Sequence, residues 1–174
     1  MHFLNCTTED IDSMIRFYDW GRELQQEKSN RNWQNFDRDQ LVKEIAEKRQ
    51  WKIVEDGTIV CIFMTAYEDP YIWGERNKDP SVYIHRIVTH PQYRGRNYVR
   101  KIIEWAKGHA REMGKKFLRM DTWGDNPKLN DYYINCGFTY LETITPETTA
   151  NLPKHYSCIS LSLLEMKIDE DHNK

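Results

Sequence analysis

Residues 90–98, which read His-Pro-Gln-Tyr-Arg-Gly-Arg-Asn-Tyr, have the composition of an anion-binding turn. The segment follows a strand-like run, residues 82–89, and leads into the helical pattern of residues 95–114. The first turn of a helix leaves N–H groups without intrahelical partners at the positive end of the helix dipole. Gly95 lets the backbone approach a ligand closely. Residues 92–119 hold nine Lys or Arg and two Glu, a net charge of +7, so this region predicts a site for a phosphorylated small molecule.

A second group of residues with recognisable spacing begins at Asn126. Asn126 can cap a helix, Pro127 suits its first position, and Gly137 ends it. The inner side of this predicted helix carries Leu129, Tyr132, Tyr133 and Cys136. Two tyrosines on an apolar stripe suit a hydrophobic core, so the pattern alone gives Tyr133 no chemical role.

The elements that position these two groups follow from hydrophobic spacing and turn residues. Thr7 and Asp10 are spaced as a capping box, as are Asp37 and Gln40, and Asp56-Gly57 suits a hairpin turn. Predicted strands cover residues 2–7, 51–55, 58–67, 82–89, 116–122, 138–144 and 156–164. Predicted helices cover residues 11–18, 38 to about 50, 95–114 and 127–136, and residues 68–81 form a loop excursion. A helix between the fourth and fifth strands makes them parallel and puts the turn after Thr89 at a carboxyl end of the sheet.

Length and composition favour one soluble globular domain. The 174 residues are 39% hydrophobic and 30% charged, with a net charge of −2 and a mean hydropathy of −0.83. The high aromatic content excludes a disordered chain, and no apolar run is long enough to span a bilayer. We expect one domain over residues 1–168, a flexible acidic tail over 169–174, and residence in the cytoplasm, because residues 1–12 lack the pattern of a secretion signal. The four widely spaced cysteines predict reduced side chains and no metal site.

Over most of its length the sequence resembles the GNAT superfamily of acetyl-CoA-dependent N-acetyltransferases, most closely between Val82 and Phe138. The family motif Arg/Gln-x-x-Gly-x-Gly/Ala, whose amides hold the pyrophosphate of coenzyme A, is matched by residues 92–97, with Asn97 at the last position. The second signature, an Asn followed by a helix ending in Tyr-x-x-x-Gly-Phe, is matched by Asn126, Tyr133, Gly137 and Phe138. The resemblance implies the α/β (α+β) GNAT fold, a mixed central sheet of about seven strands with helices on both faces, in the order β-α-α-β-β-β-α-β-α-β-β. It also implies acetyl-CoA as co-substrate and no metal.

The same resemblance implies two catalytic roles. Tyr133 is similar to the family tyrosine that donates a proton to the coenzyme A sulfur. His85 matches the strand position of a proton-relaying histidine in members that acetylate arylalkylamines. An acceptor amine has a pKa of about 10.4, so only roughly one molecule in 2,500 is neutral at pH 7 and some group must take its proton. His85 alternatively has only a structural role. Because the strand lacks a glutamate, the base would then be Glu68, Asp69 or Asp121 acting through water.

Contacts with acetyl-CoA are implied along the strand, the turn and the following helix. Backbone groups of the strand hold the acetyl carbonyl and the pantetheine arm, the turn holds the pyrophosphate, and Asn126 contacts the pantetheine. The expected contacts are Ile87, Val88, Thr89, Gln92, Arg94, Gly95, Arg96, Asn97, Tyr98, Asn126 and Tyr133.

Residues that flank the acetyl end predict the acceptor site. Tyr67 and residues 152–156 can add to an aromatic wall, and Glu75 can help attract a cationic amine. The expected acceptor contacts are Glu68, Tyr71, Trp73, Asp121 and Trp123. Loop packing is the alternative for the single surface aromatics.

These observations predict direct transfer of an acetyl group to a primary amine of a small molecule or peptide, without a covalent enzyme intermediate. Dimers are common in the family, so the resemblance is compatible with a homodimer, and the sequence leaves the oligomeric state open. The competing class is a non-catalytic acyl-CoA-binding module, which Asn97 and the missing strand glutamate favour. Nucleic-acid binding is disfavoured because the residues outside 92–119 are acidic in sum.

Overall fold

The computed structural model has the strand and helix order expected from the sequence, with one additional short helix. It describes residues 1–29, 33, 35–146 and 159–169. The strands are β1 (His2–Asn5), β2 (Gln50–Glu55), β3 (Thr58–Ala66), β4 (Ser81–Thr89), β5 (Phe117–Trp123), β6 (Thr139–Ile144) and β7 (Leu161–Lys167). The helices are α1 (Ile11–Ser29), α2 (Arg38–Ala46), α3 (Pro70–Trp73), α4 (Tyr98–Glu112) and α5 (Pro127–Asn135). Short 3-10 turns lie at Thr8–Asp10, Gly74–Lys78 and Pro91–Tyr93.

The seven strands form a mixed sheet in the order β1-β2-β3-β4-β5-β7-β6. β2 pairs antiparallel with β1 and β3, and the turn between β2 and β3 has left-handed backbone at Asp56 and Gly57, as a tight hairpin requires. β4 and β5 pair in parallel, with Ser81 opposite Phe117 and Tyr83 opposite Arg119. β7 pairs antiparallel with β5 and β6. The predicted mixed sheet and its parallel crossover are confirmed.

Side chains at the predicted caps explain where three helical segments begin. Thr7 N–H donates to Asp10 Oδ2 at 2.7 Å in the expected capping box. Asp37 Oδ1 accepts from the N–H of Asp39 at 3.1 Å, and Asn126 Oδ1 accepts from Leu129 N–H at 3.1 Å. Each side chain satisfies an amide that has no intrahelical partner. The caps predicted at these positions are confirmed.

Element boundaries differ from the predicted ones at several places. α2 ends at Ala46 rather than near residue 50, and Gln50 begins β2 instead. α4 begins at Tyr98 rather than at Gly95, because residues 95 and 97 have left-handed backbone that a helix interior does not accommodate. The predicted loop 68–81 contains α3 and a 3-10 turn, and β7 extends to Lys167. Residues 156–158 of the predicted last strand and residues 170–174 of the predicted tail lie outside the described residues.

The chain divides into two compact units. The first comprises Met1–Thr65 and His85–Tyr98, and the second comprises Ala66–Ile84 and Val99–Lys174. The core of the first unit is Cys6, Ile11, Met14, Phe17, Tyr18, Leu41, Ile62 and Val88. In the second unit α4 buries Ile102, Ile103, Ala106 and Ala110, as predicted, whereas Met113 is exposed because the helix ends at Glu112. Over the described ranges, no helix combines the length and apolarity that crossing a membrane requires.

Arg119 carries a buried positive charge in the second unit. Its side chain is 1% exposed, and its guanidinium donates to Glu165 Oε2 at 2.7 Å and to Asp79 Oδ2 at 2.8 Å. The guanidinium also lies 4.9 Å from the ring centre of Trp73. Charge-assisted hydrogen bonds of this kind are stronger than neutral ones. Arg119 therefore ties β5 to β7 and to residues 70–79, which belong to the excursion between β3 and β4.

We predict that Arg119→Met lowers the free energy of unfolding by about 2 kcal/mol, because Glu165 loses its buried cation while the partial exposure of Asp79 limits the loss. Urea unfolding measures the change. The control is Arg38→Met, which removes an exposed pair with Asp12 and should cost less than about 1 kcal/mol. Equal losses in the two variants would contradict the assigned role of Arg119.

Candidate active site

The turn between β4 and α4 contains two residues with left-handed backbone. Gly95 has a φ of 81° and Asn97 a φ of 58°. A left-handed conformation costs an ordinary L-residue about 1–2 kcal/mol, and Asn is among the few residues other than Gly that visit it routinely. Asn97 therefore departs from the family motif in its side chain, yet it has the kind of backbone conformation that a glycine readily adopts.

This turn has the open space and the charge that a diphosphate requires. A Cβ on Gly95 would meet no atom of the described residues within 4 Å, so backbone conformation rather than crowding requires glycine there. Arg94 and Arg96 are exposed, and the Arg96 guanidinium lies 4.6 Å from the ring centre of Tyr93. α4 begins directly after Asn97 and directs its first amides toward the turn. These features fit the pyrophosphate of coenzyme A.

Two of the predicted cofactor residues, Gln92 and Tyr98, make contacts within the protein. The exposed Gln92 donates its main-chain N–H to His90 Nδ1 at 3.2 Å. Tyr98 is buried, and its hydroxyl donates to Glu55 Oε2 at 2.7 Å. The Tyr98 side chain thus anchors the start of α4 to the end of β2. Its contribution to a bound cofactor is accordingly restricted to the main chain.

The last residues of β4 are held by close packing within the first unit. A Cβ on Gly21 of α1 would lie 3.0 Å from Val88 Cγ2, so the helix can approach the strand this closely only with glycine. Thr89 Oγ1 lies 3.6 Å from the buried Cys61 Sγ. These contacts fix the position of Val88 and Thr89, which together with Ile87 are the residues predicted to hold the acyl arm.

His85 is half-buried on β4, and its pKa is far below the usual value for histidine. Burial, together with the positive charges of Arg86 and Arg49, lowers the pKa of His85 to about 3. The imidazole is therefore neutral throughout the physiological range. A neutral imidazole of low pKa accepts a hydrogen bond but is a weak base. This environment differs from the base near neutral pH expected from the sequence.

Tyr133 lies on α5 among aromatic rings of the second unit. It is 8% exposed, and its ring centre is 5.5 Å from that of Tyr132 and 6.3 Å from that of Phe138. Tyr132 is half-buried beside it. Asn126 caps the same helix through its Oδ1 atom, as described above. The ring of Tyr133 thus packs in the core, and the chemical roles of its hydroxyl and of Asn126 stay predictions.

Two carboxyl groups of the second unit come together beside β5. Oxygens of Asp69 and Asp121 lie within 4.8 Å of each other, although the residues are far apart in the sequence. Burial and the charge of Asp121 raise the pKa of Asp69, and burial raises the pKa of Asp121. Asn77 Oδ1 holds this region by accepting from Asp69 N–H at 2.6 Å and from the Tyr83 hydroxyl at 3.1 Å. The pair can exchange a proton near neutral pH, where isolated carboxyls are fully ionised.

Two of the aromatic residues predicted for the acceptor pocket are engaged in other contacts. Trp73 is 2% exposed, and its ring centre lies 5.5 Å from that of Tyr83. The Tyr67 hydroxyl lies 2.9 Å from His109 Nε2. Trp73 is therefore part of the packed core of the second unit rather than an exposed pocket wall.

The other predicted acceptor residues differ in exposure. Tyr71 is 47% exposed, Trp123 is half-buried, and Glu68 and Glu75 are exposed. These side chains are accessible to a ligand, so their role in acceptor binding stays a prediction. Residues 152–156 lie outside the described residues.

Two positioning residues, Asn77 and Arg86, were not identified from the sequence. Asn77 lies in a polar stretch where nothing distinguishes it from its neighbours. Arg86 has a φ of 54° in the middle of β4, although its place in the strand pattern predicts ordinary extended backbone. A left-handed arginine leaves no sequence signal, because only glycine and asparagine mark such positions.

The family of this chain is shown by comparison with known proteins. Residues 8–138 match the family described as "Acetyltransferase (GNAT) family", and the chain belongs to this family. The expected acyltransferase is thereby confirmed at the level of the family. The uncharacterized N-acetyltransferase YesJ of Bacillus subtilis (strain 168) is 23% identical over 73 residues, which are 42% of this chain and 41% of that relative. The match thus spans about two fifths of the length of that protein.

Two solved structures share the fold at low sequence identity. An acetyltransferase of the GNAT family from Listeria monocytogenes 4b F2365 has a TM-score of 0.75 and 16% identity, covering 95% of this chain and 94% of that chain. YncA from Salmonella typhimurium, solved with its cofactor acetyl-CoA, has a TM-score of 0.68 and 13% identity, covering 98% of this chain and 95% of that chain. These similarities confirm the predicted GNAT fold.

We predict that Asn97→Gly retains the affinity for coenzyme A, whereas Asn97→Val lowers it by about tenfold, because a β-branched residue resists the left-handed conformation by at least about 1–2 kcal/mol. Isothermal titration calorimetry measures both affinities. Unchanged binding by the valine variant would show that the conformation of residue 97 does not matter for the cofactor.

We predict a pH dependence of stability that originates in Asp69 and Asp121. Because folding raises the pKa values of both carboxyls, these two groups bind more protons in the folded protein than in the unfolded chain above about pH 4, and their contribution to the free energy of unfolding falls as the pH rises toward 8. Asp121→Asn should reduce this fall, measured by urea unfolding at pH 5 and pH 8. Asp131→Asn, which changes an exposed carboxylate on α5, is the control and should leave the fall intact.

Proposed function

We propose that this protein transfers the acetyl group of acetyl-CoA directly to a primary amine, without a metal ion or a covalent enzyme intermediate. The observation that carries the proposal is the left-handed turn at Gly95 and Asn97, at the start of α4, in a chain of this family. Acetyl-CoA supplies an activated thioester. The amides of the turn, with Gln92, Arg94 and Arg96, bind its diphosphate.

The acyl end of the co-substrate is held by main-chain groups of β4 in this proposal. Ile87, Val88 and Thr89 offer N–H and C=O groups in a strand segment that Gly21 and Cys61 hold in place. An N–H that points at the carbonyl oxygen stabilises the negative charge that develops on it during attack. The side chain of Asn126, the residue that caps α5, contacts the pantetheine arm in this proposal.

The ammonium group of the acceptor loses two protons in total: one passes to solvent and leaves the neutral amine, and the second is lost as the nitrogen attacks the carbonyl carbon. We assign this second proton to the Asp69–Asp121 pair, directly or through water, because the raised pKa of the pair makes it a stronger base than an ordinary carboxylate. The lowered pKa of His85 disfavours the histidine and supports this carboxyl alternative. The nitrogen lone pair forms the new C–N bond while the C–S bond breaks. The Tyr133 hydroxyl then protonates the sulfur of the leaving thiolate and recovers its proton from solvent.

The acceptor in this proposal is a small molecule or peptide whose amine is cationic at neutral pH. Two carboxyls that share one proton carry one negative charge, which attracts an ammonium group. Glu68 adds a second negative charge, and the accessible rings of Tyr71 and Trp123 suit cation–π contact.

The proposal is tested by incubating the protein with acetyl-CoA and a panel of primary amines while following the release of free thiol. Polyamines, arylalkylamines and amino-acid amides cover the small-molecule and peptide classes. We expect amine-dependent thiol release with at least one member of the panel. The non-catalytic alternative predicts that coenzyme A raises the melting temperature although no amine causes thiol release.

We predict that Tyr133→Phe lowers kcat by about 10² or more while acetyl-CoA binding changes little, because the variant keeps the ring and loses only the hydroxyl group that carries the acidic proton. Steady-state kinetics with the best amine of the panel measures the effect. Tyr132→Phe is the matched control, since it removes the neighbouring hydroxyl, and its kcat should stay within about twofold of the parent value. Equal kcat values in both variants and the parent would remove Tyr133 from the mechanism.

A further inference from the structure

Arg86 interrupts the extended backbone of β4 at its centre. Its φ of 54° lies in the left-handed region, which a non-glycine residue occupies only when its surroundings enforce it. A single residue of this kind in a strand changes the direction in which the following side chains and main-chain groups point. The residues that follow are Ile87, Val88 and Thr89, whose main-chain groups are proposed to hold the acyl arm.

A buried ion pair holds the side chain of Arg86. Its Nη1 donates to Glu44 Oε2 at 3.0 Å, and the two side chains are 15% and 3% exposed. The guanidinium also lies 4.6 Å from the ring centre of Phe36. Glu44 is on α2, so the ion pair joins this helix to the irregular point of the strand.

Further hydrogen bonds fix Glu44 itself. Its Oε2 accepts from Gln50 Nε2 at 2.7 Å, and its Oε1 accepts from Gln40 Nε2 at 3.0 Å. The buried Tyr18 hydroxyl donates to Gln50 Oε1 at 2.9 Å. Both carboxylate oxygens are thus engaged by groups from α2, β2 and β4. A charge pair that is buried and hydrogen-bonded on several sides restricts geometry more than an exposed pair does.

Filling this part of the core does not require an ion pair. An apolar side chain of similar volume would avoid the cost of moving two charges out of water. The network instead joins a charged group to the single left-handed residue of the strand. The burial of the ion pair and its attachment to the left-handed residue therefore both indicate that the pair controls the backbone conformation at residue 86.

We propose that Glu44 is a positioning residue for acetyl transfer: through Arg86 it holds β4 in the left-handed conformation that aims the main-chain groups of residues 87–89 at the acetyl thioester. This inference rests on the proposed function. It adds a residue that does not touch the co-substrate and that lies outside the motifs of the turn and of α5.

The test compares two double variants that both lack the ion pair. They differ in whether the residue at position 86 can readily adopt left-handed backbone. Glu44→Gln/Arg86→Gly can adopt a φ of 54° freely, whereas Glu44→Gln/Arg86→Val resists it. Calorimetry with acetyl-CoA should give the glycine variant an affinity within about twofold of the parent and the valine variant an affinity about tenfold lower or more. Kinetics should show the same ranking in the KM for acetyl-CoA.

Adenosine diphosphate is the control ligand, because it presents the diphosphate to the turn at residues 95–97 and lacks the acyl arm. Both double variants should bind it as the parent does. Loss of adenosine diphosphate binding in the valine variant would indicate general damage to the unit and overturn the proposed role. Equal acetyl-CoA affinities in the two double variants would also overturn it.

Two further outcomes are distinguished by measurements on the parent and on a milder variant. A parent protein that binds no acetyl-CoA refutes the proposed function itself, which separates that failure from failure of the inference. If circular dichroism shows that the valine variant is unfolded, Glu44→Gln/Arg86→Ala replaces it. Alanine also disfavours left-handed backbone, so its acetyl-CoA affinity should fall below that of the glycine variant, and equal affinities refute the inference.

Discussion

The chain has to pass from β4 into α4 within a few residues and present main-chain amides as it does so, and left-handed backbone at Gly95 and Asn97 makes this possible. Without left-handed backbone at these two residues, α4 would begin earlier. Amides that precede Tyr98 would then donate hydrogen bonds within the helix instead of to a ligand. The hydroxyl of the buried Tyr98 donates to Glu55 and so fixes the first residue of the helix within the first unit. The anion site proposed here is thus a property of the backbone, and exposed arginines supplement its charge.

Buried polar groups stabilise the irregular parts of this fold. Arg86 is left-handed within a strand and is held by Glu44; the loop that carries Asp69 is held by Asn77; the excursion after β3 is held by Arg119. Hydrophobic burial is non-directional, so it selects a compact arrangement without fixing a particular turn of the backbone. Directed hydrogen bonds in a poorly solvated environment supply that restriction, and Arg86 and Asn77 do so next to residues proposed to act on a ligand.

Burial shifts the pKa values of the titratable groups near β4 and β5 in opposite directions. Burial disfavours the charged form of any group, which lowers the pKa of His85 and raises the pKa values of Asp69 and Asp121. For His85 the neighbouring arginines act in the same direction as burial; for Asp69 the charge of Asp121 does so. Histidine is the residue most often expected to accept protons at neutral pH, but in this environment the carboxyls have the more suitable pKa.

Short-range patterns in the sequence were sufficient to predict the order of strands and helices and the parallel relation of β4 and β5. They also predicted the hairpin at Asp56-Gly57 and the caps at Thr7, Asp37 and Asn126. These features depend on residues close together in the chain, whose spacing and turn propensities can be read directly. The burial of Trp73, the left-handed backbone of Arg86, and the approach of Asp69 to Asp121 could not be read in this way. Each depends on contacts between residues distant in the sequence, and neither pKa values nor strained backbone have a local signal until folding brings those residues together.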